Sequence, residues 1–185
     1  MTMTFLLDVK RCSGCQACIV ACMDQNDLFN RKRQNFWRKV YKIENGSFPE
    51  VKISYISLAC MHCQETPCLL GCPMGAIYKD EETGIIGVRQ ESCIGCHSCS
   101  LACPFGVPRF DENGKMEKCQ MCRERVDHGL EPACVHTCPT KALQFGEVNE
   151  LAQQVSDKAA ARILSVISNR EDYLKYNEIF NRILF

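Results

Sequence analysis

Cys93, Cys96, Cys99 and Cys103, closed by Pro104, stand in the spacing C-x2-C-x2-C-x3-C-P. Three thiolates this close on one loop can hold three corners of a cubane [4Fe-4S] cluster, and the fourth cysteine of such a run ligates a different cluster. One run therefore implies a partner run, and the chain has three more. Cys12, Cys15, Cys18 and Cys22 repeat the spacing, with Met23 where the closing proline would stand. Cys60, Cys63, Cys68 and Cys72 form a second run, C-x2-C-x4-C-x3-C, closed by Pro73. Cys119, Cys122, Cys134 and Cys138 form a fourth, C-x2-C-x11-C-x3-C, closed by Pro139. All 16 cysteines of the 185 residues fall in these four quartets.

Other cysteine chemistries fit less well. A disulfide framework belongs to oxidising compartments. Here residues 1–7 lead straight into Asp8, with no charged region followed by an apolar core as in a secretory signal. Metal ligation and a cytoplasmic location are the expectation. A structural zinc site takes its four ligands as two C-x2-C pairs, which does not match three cysteines at steps of three followed by a fourth and a proline. Cys93 to His97 also satisfies C-x-x-C-H, the haem-attachment pattern. Cys99 and Cys103 continue that run, however, and His97 reads as a residue beside the cluster or on the surface. His62, His128 and His136 have no incomplete quartet to join, and none is assigned to metal.

Full ligation of four cubanes leaves no open iron position for a substrate. The chain also has no G-x-G-x-x-G, no phosphate-binding loop and no nucleophile elbow. What remains is a non-catalytic carrier of single electrons. The formal charge is zero, from 22 basic and 22 acidic residues. Sixteen thiolates on four cubane cores would add roughly eight negative charges. The lysines and arginines therefore read as compensation for buried anionic clusters and not as a nucleic-acid surface. No apolar stretch approaches the roughly 18 residues that a membrane span requires.

The elements that must position the quartets are short. Residues 5–9 read as a strand feeding the first run, with Gly14 at the bend of its loop. Residues 40–43 and 51–56 read as a hairpin around Asn45-Gly46, a structural filler between metal runs. Residues 76–78 and 85–88 form a second hairpin around Glu82-Thr83-Gly84. The insertion between Cys122 and Cys134, with Gly129 and Pro132, suits a surface loop. A strand at 142–145 follows Cys138-Pro139 much as residues 76–78 follow Cys72-Pro73, so the chain is an internal repeat of paired quartets. The tail carries no cysteine. Asn149 is placed as the N-cap of a helix bearing Leu151, Val155 and Ala159, and Asn169 as that of a second bearing Tyr173, Tyr176, Phe180 and Ile183. That second face suits either the chain's own body or a partner subunit.

Four quartets in this order, over about residues 5–148, resemble the iron–sulfur subunits of the dimethyl-sulfoxide-reductase group, which includes subunits of polysulfide, tetrathionate and nitrate reductases. Members of the nitrate-reductase type carry a tryptophan in place of one third-run cysteine; this chain keeps the cysteine, as in the sulfoxide and sulfur-compound branch. The resemblance implies an α+β fold of two intertwined ferredoxin-like dicluster modules with small hairpins. The outer module would take residues 1–59 with 104–148, the inner one residues 60–103, and residues 149–185 would form a helical extension. It also implies the ligand sets. Cys12, Cys15 and Cys18 would share a cluster with Cys138, and Cys22 would join Cys119, Cys122 and Cys134. Cys72 would join Cys93, Cys96 and Cys99, and Cys103 would join Cys60, Cys63 and Cys68. The implied partner is a molybdenum- or tungsten-pterin catalytic subunit, the inner module lying nearer to it, with a third subunit as electron donor or acceptor. The same resemblance allows export bound to a signal-bearing catalytic subunit. The rival readings are a stand-alone polyferredoxin shuttle, a subunit of a tungsten aldehyde oxidoreductase or benzoyl-coenzyme A reductase, and a structural zinc module.

Overall fold

The computed structural model describes residues 2–29 and 35–168. These residues fall into two compact units, Met1–Glu147 and Val148–Phe185. In the first, eight short strands and five short helices surround the cysteine runs. They are β1 (Met3–Leu7), α1 (Ala17–Gln25), β2 (Lys39–Asn45), β3 (Lys52–Leu58), α2 (Pro67–Leu70), β4 (Ile77–Lys79), β5 (Ile86–Val88), α3 (Ser98–Ala102), β6 (Arg109–Phe110), β7 (Met116–Glu117), α4 (Arg123–Asp127), α5 (Ala133–His136) and β8 (Leu143–Glu147). The second unit is described through one helix, α6 (Val148–Ser168).

The strands form four separate antiparallel pairs, β1–β8, β2–β3, β4–β5 and β6–β7. Two-stranded pairs are marginal on their own in water and need something to pack on. Here it is sulfur as much as hydrocarbon. One core gathers Cys18, Cys134, Val135, Cys138, Ala142 and Leu143, with Phe5, Phe145 and Val40 against them. The other gathers Ala76, Ile77, Ile86, Cys93, Cys99 and Met116, with Cys68, Cys72 and Phe110 at its edge.

The β1–β8 pairing joins the two ends of this unit. Phe5 stands opposite Phe145 with ring centroids 5.6 Å apart, and the Asp8 N–H donates to the Ala142 carbonyl at 2.8 Å. The segment leading into the first run is thereby held against the segment leaving the fourth.

Several local expectations are revised. The β2–β3 ladder runs as far as Asn45 opposite Lys52, so its turn is the longer segment 46–51. The hairpin is also more than filler. Tyr55 and Ser57 lie against the first run, with the Tyr55 ring 2.4 Å from where a β-carbon on Gly14 would sit, and Ser57 beside Cys18. Part of the fourth run's insertion is the helix α4, and β6–β7 is a further small hairpin that the sequence did not announce. Helix α6 starts at Val148 directly after β8, which puts Asn149 in its first turn and not at its cap. Asn169 and the stripe from Tyr173 to Ile183 lie outside the described residues.

Candidate iron–sulfur centres

The first and third runs fold alike because they are alike in sequence. Gly14 and Gly95 both take positive φ, 72° and 68°, and Gln16 and His97, directly after the second cysteine, both take φ 64°. Each left-handed residue aims the chain round a curve and starts the short helix, α1 or α3, which carries the third cysteine; the fourth, Cys22, lies within α1, whereas Cys103 directly follows α3. A β-carbon at Gly95 would sit 2.5 Å from the Gly114 carbonyl oxygen, so this loop has no room for a side chain there. His97 is exposed, its ring 3.7 Å from that of Phe110.

Two cavities are each walled by cysteines from two different runs. One is lined by Cys12, Cys15, Cys18 and Cys138, with Val40, Ala142 and Leu143 around them. The other is lined by Cys72, Cys93, Cys96 and Cys99, with Ile77, Val88, Phe110 and Met116. Burial, and after it the neighbouring Cys119, Cys134 and Cys122, push the Cys22 thiol far up. Burial, tempered by Arg38, likewise pushes Cys134 up to about 11 beside Cys119 and Cys122. Cys68 is raised by burial and by its neighbours Cys103 and Cys63, and Cys60, up to about 11, by burial and more weakly by Cys119 and Cys68. Burial, with Cys68 and then Cys93 nearby, raises Cys99 to about 11. Cys99 therefore stands between the neighbourhood of Cys68 and the cavity it lines.

This donor set suits a cubane. Desolvated thiols crowded together hold their protons until a cation replaces them. The thiols line cavity walls; among the described residues no three Cys, His, Asp or Glu side chains converge on a point that would hold one ion. Donors already face sulfur. The Met116 N–H lies 3.3 Å from Cys93 Sγ and the Met121 N–H 3.4 Å from Cys119 Sγ. Arg38 Nη2 and His62 Nε2 are among the buried donors with no partner in the protein, with Trp37 Nε1 and Arg109 Nε. His62 Nδ1 accepts from the Ile86 N–H at 2.9 Å, which leaves the proton of the neutral ring on Nε2. Burial, and then the Lys118 ammonium, hold His62 down at about 3. Buried donors without acceptors are the complement of an acceptor-rich inorganic core.

Two buried cations lie among the quartets and were not singled out by the sequence. Arg38 sits in the field of Cys134, Cys119, Cys18 and Cys22. Lys118 donates to the carbonyls of Ile86 and Cys119 and bears on Cys60 and Cys68. Both are nearly inaccessible to solvent. His128 Nδ1 is 2.7 Å from the Glu124 carbonyl oxygen, and His136 ends α5.

Comparison with known proteins adds independent findings. Residues 51–148 match the sequence profile of the 4Fe-4S dicluster domain. Over 165 residues the chain is 39% identical to the B chain of the anaerobic dimethyl sulfoxide reductase of Escherichia coli (strain K12), covering 84% of this chain and 78% of that one. It is 42% identical over 150 residues to the thiosulfate reductase electron transfer subunit PhsB of Salmonella typhi, covering 78% of this chain and 76% of that one. It is 34% identical over 173 residues to the B subunit of the sulfite dehydrogenase of Allochromatium vinosum, covering 83% and 72%.

Proposed function

The chain belongs to the 4Fe-4S dicluster family, among the iron–sulfur subunits of the dimethyl sulfoxide reductase group, and on that premise we propose that it relays single electrons to or from a molybdenum- or tungsten-pterin catalytic subunit. It is a non-catalytic electron-transfer subunit of an oxidoreductase complex and carries four [4Fe-4S] clusters. A third subunit completes the relay as electron donor or acceptor.

The ligand sets we propose follow the neighbourhoods of the thiols. Cys12, Cys15, Cys18 and Cys138 hold one cluster, and Cys22, Cys119, Cys122 and Cys134 a second. Cys72, Cys93, Cys96 and Cys99 hold a third, and Cys60, Cys63, Cys68 and Cys103 a fourth. The carrying observation is that each of two cavities is walled by four cysteines, three from one run and the fourth from another. The fourth-ligand exchange between runs is the ferredoxin arrangement. Two interlocked modules, one built on the first and fourth runs and one on the second and third, account for it. The β1–β8 pair supports the first and the β4–β5 pair the second.

The clusters, when bound, supply the electron acceptance and donation. The chain's own residues shield the buried thiolates from water, present backbone N–H groups to sulfur, and set the local charge through Arg38 and Lys118. No helix among the described residues is long and apolar enough to cross a membrane.

Elemental analysis of the complex, purified anaerobically, tests the reading. Roughly sixteen iron atoms per chain with molybdenum or tungsten in the complex is the expected result. The same iron with neither heavy metal would favour a free polyferredoxin, and zinc in place of iron would overturn the assignment.

A further inference from the structure

Arg38, immediately before β2, is 3% exposed, and sulfur is prominent around it. Its guanidinium lies 5.0 Å from the centre of the Phe5 ring, and Nη1 donates to Ser57 Oγ at 3.1 Å. Ser57 Oγ is in turn 3.4 Å from Cys18 Sγ. A guanidinium can only donate, so the serine oxygen accepts from it and the serine proton is left for the sulfur. Nη2 is buried and has no hydrogen-bond partner in the protein. The same cation bears on Cys22, Cys122 and Cys134 of the neighbouring quartet.

Taking the proposed ligand sets as its basis, we propose that Arg38 is a potential-setting residue shared by two clusters. Through Nη1 and Ser57 it acts on the cluster of Cys12, Cys15, Cys18 and Cys138. Through Nη2 it donates into the cluster of Cys22, Cys119, Cys122 and Cys134. One fixed charge thereby raises the reduction potential of both.

The physics has a definite sign. Reduction adds one negative charge to a cluster inside a medium of low dielectric constant, where a fixed cation a few ångströms away interacts far more strongly than it would in water. Hydrogen bonds to cluster sulfur and net local charge are the protein's means of moving such potentials. Arg38 keeps its charge in this place, because a guanidinium is not deprotonated in proteins. Because one cation serves both sites, it moves the two potentials in the same direction. Both then shift relative to the other pair.

The test is an EPR-monitored redox titration of the purified, iron-loaded complex. Arg38→Gln, which removes the charge, should lower the midpoint potentials of the two clusters and leave the other two in place. Arg38→Lys, which keeps it, should return both towards wild type. Ser57→Ala should lower only the cluster that Cys18 serves. A loaded Arg38→Gln complex with unmoved potentials would overturn the proposal, and so would an equal shift of all four. If Arg38→Gln sheds iron, Arg38→Lys decides: four clusters at wild-type potentials support the role of charge, and iron loss in this variant too assigns Arg38 to packing instead. The ligand sets are tested apart from this, by which signals vanish in Cys18→Ser and Cys22→Ser.

Discussion

Met121 and His62 hold the same left-handed backbone conformation, φ 61° and 43°, each in the residue immediately before the second cysteine of its run. Gly14 and Gly95 fill the equivalent place in the other two runs, so all four loops turn left-handed at this position. The turn swings the N–H of that residue towards the first thiol. Met121 N–H lies 3.4 Å from Cys119 Sγ, and the His62 N–H bonds Cys60. For a residue with a β-carbon the conformation costs about 1–2 kcal/mol. Packing offsets it: Met121 is almost fully buried, and the His62 ring is pinned by Ile86.

Met121→Gly separates those two effects. The substitution relieves the backbone but empties a buried site, and truncating a buried methionine costs about 2–5 kcal/mol. The cavity should win, leaving a net loss of up to roughly 4 kcal/mol. The denaturant midpoint for loss of cluster absorbance measures it; a midpoint above that of the wild type would show that strain dominates.

Gly95→Ala should act in the same direction for another reason. The new methyl would demand positive φ and would meet the Gly114 carbonyl oxygen at 2.5 Å, a backbone atom that cannot turn aside. Backbone strain of this kind costs on the order of 1–3 kcal/mol. Iron release in guanidinium should be fastest from the site walled by Cys72, Cys93, Cys96 and Cys99, read by EPR of partially denatured samples.

Cys99→Ser removes one thiolate from that same cavity. The proposed ligand sets require the loss or conversion of one cluster, with the other three signals intact. Two altered signals, or none, would contradict them.

The quartets were legible because a ligand run is local: four cysteines at short fixed steps, three of the four runs closed by a proline, announce themselves without knowledge of the fold. The β2–β3 and β4–β5 hairpins were legible for the same reason, each with turn residues between two extended stretches. Long-range placement was not. Nothing in the spacing of Arg38 or Lys118 distinguishes these buried cations from exposed lysines and arginines, because their burial depends on where distant runs come together. The left-handed His62 and Met121 were hidden because their residue types do not ask for positive φ. With an alignment of the four runs, the shared position before the second cysteine, glycine in two of them, would have been the available clue.

Asp80 carries a pH dependence. Oδ1 accepts from the Thr83 N–H at 2.9 Å and from the Thr83 hydroxyl at 2.8 Å, and Oδ2 faces Arg123 Nη1 at 2.8 Å. These contacts, the Thr83 N–H first, hold the carboxyl down at about 2. A carboxylate held lower in the folded chain than in the unfolded one contributes stability above its ordinary pKa, and that contribution disappears as pH falls through the folded value. Asp80→Asn should therefore be less stable than wild type from pH 7 to about 4, with the gap closing towards pH 2. Denaturant midpoints across that range measure it. A gap of constant size down to pH 2 would assign the difference to packing of the turn.

Removal of iron is the broadest test of how the fold is held. Half of the buried residues in the core beside β1 and β8 are cysteines, and four two-stranded pairs cannot replace them. Without clusters the buried thiols, raised by desolvation, hold protons and leave voids where inorganic cores would sit. Cluster assembly must displace those protons, so acid should favour the empty chain. Chelation of iron under reducing conditions should abolish near-UV circular dichroism of residues 2–147, and the iron concentration needed for recovery should rise as pH falls. A native-like near-UV spectrum in the iron-free chain would show that hydrocarbon packing alone sustains the fold.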